Sequence, residues 1–385
     1  MNNRTSIAWL QLIHRKNRLL VTILGVTFAV LLMFIQLGFR DGLFEDAVNI
    51  HKTLDADLVL LHTDTQRFFE MKSFPRRYLY NISATNGISS VNPFYFSIGN
   101  FKNPETFVSS PILVCAFKPD KPVFNLTEVN QQREILQKPN TVLFDRLSRP
   151  DYGDIVVNFA KHGEVLTELS NRQTKVGGLF SLGGGIMSAD GAVITSDLNY
   201  SQLLNQPLEK VHMGVVKLQP GVDVETIIKQ VSPNLPKDVK LITLEEFMRL
   251  EKEFLAQSTP IGFIFNMGTV IGCVFGGIIV YQILYTQISD SLYIYATFKA
   301  IGYANQFLVK VVLQQAFLMS IIGYLPGFAF CMYLYSFVQD ATRLPMIMTF
   351  SRALIIMILT IVMCSLAGLL AMNKLRSADP AELFG

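Results

Sequence analysis

The chain has 385 residues, 50% of them hydrophobic and 16% charged, with a formal net charge of +3. Soluble domains carry nearer a quarter charged residues, so the composition points to a membrane protein. So weak a positive charge excludes the dense basic face of a nucleic-acid-binding protein. Cys273, Cys331 and Cys364 fall inside apolar runs and leave Cys115 alone in the polar part, which rules out an intrachain disulfide framework there. All four cysteines read as small buried hydrophobes.

In chain order, residues 1–18 form a basic N-terminal helix with Arg4, Arg15, Lys16 and Arg18. A run without charge, Leu19 to Leu37, follows, long enough to cross a bilayer. Its Leu, Ile, Val and Phe residues contribute about −4 to −8 kcal/mol to insertion. It is too long for a signal-peptide core and ends in "LGFRDG", without a small-residue cleavage site, so it is an uncleaved span. Three more such runs are Ile261 to Tyr285, Val311 to Val338 and Ala353 to Met372. The third run, roughly 42 Å long as a straight helix, exceeds the hydrocarbon and contains "GYLPG", which predicts a kink at Pro326.

Residues 40–259 are too many for a loop. The stretches Asp55 to Leu61, Ser110 to Phe117, Tyr152 to Phe159 and Gly191 to Ser196 read as strands bounded by turn signals. Near the end, a strand, a turn at Pro220-Gly221, a helix from Val224 to Val231 and a strand at Val239 to Thr243 make a β-α-β pattern, as in an α+β domain with a mixed or antiparallel sheet. Both membrane junctions look helical. "RDGLFEDAVNIHKTL" places Leu43, Phe44 and Ala47 at helical spacing, and "TLEEFMRLEKEFLAQS" opens with a T-x-x-E capping box at Thr243 and sets Phe247, Met248, Leu250 and Phe254 mainly on one face. These two helices are expected to pair as a stalk.

Basic residues orient the chain. Arg4, Arg15, Lys16, Arg18, Lys299, Lys310, Lys374 and Arg376 fall on one side, and only Arg343 and Arg352 on the other. Both termini are therefore expected in the cytoplasm. The expected layout is a first span at 19–39, a periplasmic domain with stalk helices at 40–259, a second span at 260–285, a cytoplasmic coupling loop at 286–308, a third span at 309–338, a short periplasmic loop at 339–352, a fourth span at 353–372 and a tail at 373–385. The fold class is an α-helical membrane protein with four transmembrane helices and a large extracytoplasmic α+β domain inserted between spans 1 and 2.

Chemistry is missing by motif. There is no G-x-x-x-x-G-K-[ST], no G-x-S-x-G and no Cys-x-x-Cys, and the five histidines are scattered. "GGLFSLGGG", Gly177 to Gly185, reads as a flexible turn. No catalytic, cofactor-binding or metal-binding residue is expected. The spans carry no Asp, Glu, Lys or Arg, which argues against ion-coupled transport and leaves the energy source elsewhere. Span two carries Gly268, Gly272 and Gly276, a ridge for close helix packing within the chain or across a dimer.

One span, a large inserted domain, three spans and a short helix between the second and third resemble the MacB/FtsX/LolC-type ABC transporter permeases. "DSLYIYATFKAIGYANQFLVKVVLQQAFLMSIIGYLPG" resembles the DevC-type permeases, and the tail "KLRSADPAELF" resembles the family's R-x-x-D-P-A-E-x-L ending. The resemblance implies a homodimeric, non-catalytic subunit in a bacterial inner membrane. A separate cytoplasmic ABC ATPase would bind the ATP and Mg. It further implies a periplasmic adaptor and a TolC-like outer-membrane channel, exporting a glycolipid or other amphiphile. Asp290, Leu292, Tyr293, Tyr295, Ala296, Phe298 and Lys299 would form the helix that docks on the ATPase, with Gly302 permitting the return into span three. Many relatives carry an Arg/Glu-rich segment where this chain has "LYIYATFK", which bears on the choice of ATPase. The alternatives are an FtsX-like regulator of a wall hydrolase, transporting nothing, and a membrane-anchored sensor.

Overall fold

The computed structural model describes residues 16–183, 190–290 and 305–376. They fall into two bodies: a helical one holding the chain up to Gly42, Pro260–Ala341 and the residues from Met346 onward, and a second one, Leu43–Thr259 together with Thr342–Pro345.

The helical body is built from apolar helices. Helix α1 (Lys16–Ala47) has 32 residues and no proline. At 1.5 Å per residue it is about 48 Å long, well beyond a hydrocarbon core of about 30 Å. The other three, which follow the second body's helices in the chain and are numbered after them below, are Pro260–Asp290, Asn305–Thr342 and Phe350–Arg376. Among the described residues, 4 helices are long and apolar enough to cross a membrane, and each contains one of the charge-free runs of the sequence. The helix Asn305–Thr342 continues through Pro326 without interruption.

The second body is an α+β domain. Its small helices are α2 (Asn49–Lys52), α3 (Arg77–Ser83), α4 (Thr127–Gln131), α5 (Ile155–His162), α6 (Asp197–Leu204), α7 (Val224–Val231) and α8 (Leu244–Gln257). Its strands are β1 (Leu58–His62), β2 (Phe74–Pro75), β3 (Ile88–Lys102), β4 (Ser109–Phe117), β5 (Thr141–Asp145), β6 (Val165–Leu169), β7 (Arg172–Phe180), β8 (Ala192–Ser196), β9 (Lys210–Val211), β10 (Met213–Leu218) and β11 (Val239–Thr243). The membrane helices are then α9 (Pro260–Asp290), α10 (Asn305–Thr342) and α11 (Phe350–Arg376).

Nine strands form one sheet in the order β11-β1-β10-β3-β4-β8-β5-β7-β6, and β6 pairs back with β3 through Phe101–Leu169 and Lys102–Glu168. Six strands, β3 to β6 in that order, therefore close into a ring. The long β3 makes this possible: its first half pairs with β10 and its second half with β4 and β6. The sheet is mixed, with parallel pairs β4–β8 and β5–β7. The β10-α7-β11 unit forms as read, with β1 inserted antiparallel between its two strands. Asp223 caps α7 by accepting the Thr226 amide at 2.9 Å, and Gly221 turns with φ +83°.

Both sheet faces are buried, which explains why β1 reads as an unbroken apolar run. Leu58 and Leu60 enter one core with Phe74, Tyr95 and Phe101. Val59 and Leu61 enter the other with Phe68, Phe94, Cys115 and Phe117, as the two-residue strand period requires.

One strand expectation is corrected. Tyr152 to Phe159 is not a strand: a 3₁₀ turn at Pro150–Tyr152 leads into α5. The β-branched "IVV" suggested a strand, but Asp154 stands at the helix start and Gly163, at φ +73°, ends it by donating to the Phe159 carbonyl. Only Ile155 of the three turns inward, while Val156 and Val157 stay exposed.

Candidate functional site

Among the described residues, the side chains that join one element to another make up the candidate site. In the helical body, α9 and α10 both pack on α1. The glycine ridge of α9 lies on it: a Cβ at Gly268 would meet the Gln36 side chain at 2.5 Å, one at Gly272 would meet Leu32 Cβ at 3.3 Å, and one at Gly276 would meet Ala29 Cβ at 2.5 Å. The ridge thus packs within the chain. Helix α10 uses the same device, with Gly323 against Val26 and Gly327 against Val30, and the Thr27 hydroxyl donates to the Gly323 carbonyl at 2.9 Å. Small residues let the backbones approach where hydrocarbon supplies no hydrophobic drive.

A polar network ties all four helices near one end. Arg352, in the first turn of α11 and 6% exposed, donates from Nη2 (2.8 Å) and Nε (3.2 Å) to Asp41 Oδ2 of α1. Its Nη1 donates to the Ile347 carbonyl at 2.9 Å and to the Tyr335 hydroxyl of α10 at 3.4 Å. The Tyr335 hydroxyl in turn donates to the Phe34 carbonyl of α1. The other Asp41 oxygen accepts Arg40, whose Nη1 donates to Asn266 Oδ1 of α9 at 2.8 Å. Arg352, counted from the sequence as a loop charge, is therefore a buried member of an ion pair. Its partner lies 311 positions away, so no local spacing marks it.

At the base of the inserted domain, the end of α1 and α8 lie against each other. Lys252 donates to Glu45 at 2.5 Å, and Lys52 binds the same carboxylate. Phe44 and Met248 line the 480 Å³ groove between them. Leu43 and Ala47 are buried, and Leu250 is half-buried. Phe247 and Phe254 face elsewhere. Phe247 meets the His51 ring edge-on at 4.6 Å, and the Arg67 guanidinium stands 4.9 Å over the Phe254 ring. Thus α8 holds α1 with one face and the domain core with another. Thr243 caps it, accepting the Glu246 amide at 3.0 Å, while Glu246 pairs with Arg249.

Inside that joint lies a buried acid–imidazole pair. Glu251 Oε2 accepts the Phe68 amide at 2.6 Å and stands 3.7 Å from His51 Nε2. Burial pushes the Glu251 carboxyl up to about 7, against the pull of the Phe68 amide and Arg67. Burial lowers the His51 imidazole to about 3, and neither ring nitrogen has a hydrogen-bond partner. Two lone residues 200 positions apart carry no sequence signature (roughly, any surface Glu and His would look the same).

Of the expected ATPase-docking residues, Asp290 is the exposed last residue of α9. Leu292, Tyr293, Tyr295, Ala296, Phe298, Lys299 and Gly302 lie outside the described residues. Among the described residues, no group of three or more His, Cys, Asp or Glu side chains converges to hold a metal.

Residues 256–380, from the end of α8 to beyond α11, match the family FtsX-like permease C-terminal. Among solved structures the chain is similar to the periplasmic region of MacB from Actinobacillus actinomycetemcomitans, at 13% identity over 55% of this chain and 97% of that one, with a TM-score of 0.36. It is also similar to the extracellular domain of the noncanonic ABC-type transporter YknZ from Gram-positive bacteria, at 10% identity over 49% of this chain and 98% of that one, with a TM-score of 0.33. No curated protein matches.

Proposed function

We propose that this FtsX-like permease is the membrane subunit of a DevC-type ABC exporter, converting ATP hydrolysis on a separate cytoplasmic ATPase into movement of its inserted domain. The observation that carries the reading is the family match over residues 256–380, which contains the segment between α9 and α10. That segment, Asp290 to Lys299 with Gly302, is the docking helix in this reading, its Tyr and Phe side chains filling a groove in the ATPase. The chain works as a homodimer in the bacterial inner membrane, with both termini in the cytoplasm and the inserted domain in the periplasm. There the domain works an adaptor protein and a TolC-like channel that export a glycolipid or another amphiphile. ATP and Mg are held by the ATPase.

Two features support motion coupling. The spans 19–39, 260–285, 309–338 and 353–372 contain no ionisable Asp, Glu, Lys or Arg except Lys310 at the edge of the third, which argues against ion-coupled transport. Helix α1 also runs unbroken to Ala47, past the length a bilayer needs. The test is to replace Tyr293 and Phe298 by Asp and to measure co-purification of the ATPase. Loss of the ATPase with the chain still inserted is the expected result; an undiminished yield of complex overturns the docking.

A further inference from the structure

We infer that Thr342–Pro345, the end of α10 and the start of its connection to α11, is a direct attachment of α10 to the inserted domain, gripping the loop after β5, which Asp145 ties to the loop after β7 that Asn49 holds just beyond α1. The inference rests on the motion-coupling reading and adds to it a second route of transmission, independent of the α8 stalk.

The first observation is membership: Thr342–Pro345 belong to the body of the inserted domain and not to the helical body whose helices they join. Leu344 is fully buried in spite of lying in a connection of a few residues. Beside it Arg343 takes φ +59°, a left-handed conformation that a long non-glycine side chain adopts only when its surroundings hold it there. What holds it is the guanidinium, which donates from Nη1 to the carbonyl of Leu147. The Thr342 hydroxyl accepts the Leu344 amide at 3.4 Å and closes the turn.

The receiving side is built around one carboxylate. Asp145, at the end of β5 and 1% exposed, accepts the Leu147 amide (3.1 Å) and the Leu182 amide (3.0 Å) on Oδ1, and the Gly183 amide (3.1 Å) on Oδ2. It thereby fixes the loop after β5 to the loop after β7. Burial works against its charge, and the three amides together with the Arg343 cation work for it. The loop after β7 has a second holder: Asn49 Nδ2 donates to the carbonyls of Leu182 and Gly183, each at 3.1 Å. Asn49 opens α2, directly after α1 and Val48. The chain just beyond α1 and the chain just beyond α10 thus both reach the Asp145 loops, one through Asn49 on the loop after β7 and the other through Arg343 on the loop after β5.

The consequence is mechanical. Helix α10 is a single helix from residue 305, next to the ATPase-docking segment, to Thr342. A displacement applied at its inner end passes along this continuous helix, across Pro326, to Arg343, and the Asp145 loops receive it.

The test is amide hydrogen exchange of the full chain, purified with the ATPase that accompanies it, with ATP and orthovanadate as the probe. In the native chain nucleotide should change exchange at Leu147, Leu182 and Gly183 by about tenfold. Leu344→Asp, which expels the anchor, and Arg343→Gly, which keeps the turn but deletes the guanidinium, should each raise basal exchange at these amides. Each should also reduce the nucleotide response to less than about twofold, while ATP hydrolysis continues. Arg343→Lys, which keeps the cation, should restore part of the response. If Leu344→Asp leaves basal exchange at Leu182 and Gly183 unchanged, the attachment is wrong. If basal exchange rises but the nucleotide response persists, the attachment exists and transmits nothing. A native chain that retains no ATPase refutes the exporter reading, and the basal exchange still decides the attachment.

Discussion

Glu251 releases its proton only around pH 7, well above the range in which an exposed glutamate does. Four groups act on it: His51 at 3.7 Å, the Phe68 amide, the Arg67 cation, which lowers its pKa, and the Glu70 anion, which raises it. Its folded pKa of about 7 lies above the ordinary 4.5, so the stability it contributes is fully present below 4.5 and is lost as pH rises through 7. His51 runs oppositely: with a folded pKa of about 3 against 6.5, its contribution is present above 6.5 and is lost as pH falls through 3. Between 4.5 and 6.5 the two slopes oppose each other, and the inserted domain should be near its most stable there. Glu251→Gln keeps an acceptor for the Phe68 amide and removes the alkaline loss. It should stabilise the domain at pH 8, relative to the native residue, by about 3 kcal/mol at most. Urea midpoints measured from pH 4 to 9 would read this, and parallel profiles for the two proteins would refute it. None of this was legible in the sequence, because burial arises from tertiary packing. Phe68 and Phe247, which desolvate His51, approach it from separate elements.

Elements were far more legible than residues, since their signals are local. The T-x-x-E at Thr243, the charge-free runs and the β10-α7-β11 unit each show a period or a cap inside a short window. Loss of the cap in Thr243→Ala should cost about 1 kcal/mol, read as a lowered urea midpoint of the inserted domain. Where the local signal misled, two principles competed: "IVVNF" has strand propensity, and the αL cap at Gly163 decided for a helix. Strand β3 was not among the expected strands; its Pro93 sits where the strand pairs with β10 alone, before the pairing with β4 begins at Phe94, a position that proline tolerates. The glycine ridge was visible as spacing, while its partner was not. The close approach to α1 makes a contrast testable. Gly276→Leu must displace Ala29 and Met363, whereas at the adjacent Gly277 the nearest neighbour is Met363 Cγ at 3.6 Å. Gly276→Leu should therefore lower the melting temperature in detergent clearly more than Gly277→Leu. Equal shifts would mean that the ridge does not bear on α1 in the membrane.

At the scale of the whole molecule, the reading requires the inserted domain to lie outside the cytoplasm and to move when nucleotide is bound inside. The first requirement can be checked with a thiol at Leu166, which is 55% exposed on β6. Leu166→Cys should react with a membrane-impermeant maleimide in intact spheroplasts; labelling only after lysis would invert the topology. The second concerns α8. Its last carbonyls are closed by the Ser258 amide on Phe254 and the Thr259 hydroxyl on Leu255, and α9 begins at the next residue, Pro260. Met248→Pro would delete a hydrogen bond in the first half of α8 and cost about 3 kcal/mol or more of helix, whereas Met248→Ala keeps the helix and serves as the folding control. With a dye on Leu166→Cys, the complex should show an ATP-dependent fluorescence change that Met248→Ala retains and Met248→Pro reduces, while basal ATP hydrolysis persists in both. Residual signal in Met248→Pro would then measure what arrives through Arg343 and Leu344. Combining it with Leu344→Asp should reduce the signal further, to what arrives along α1 and Asn49 alone. A full response in the double variant would show that neither route moves the domain.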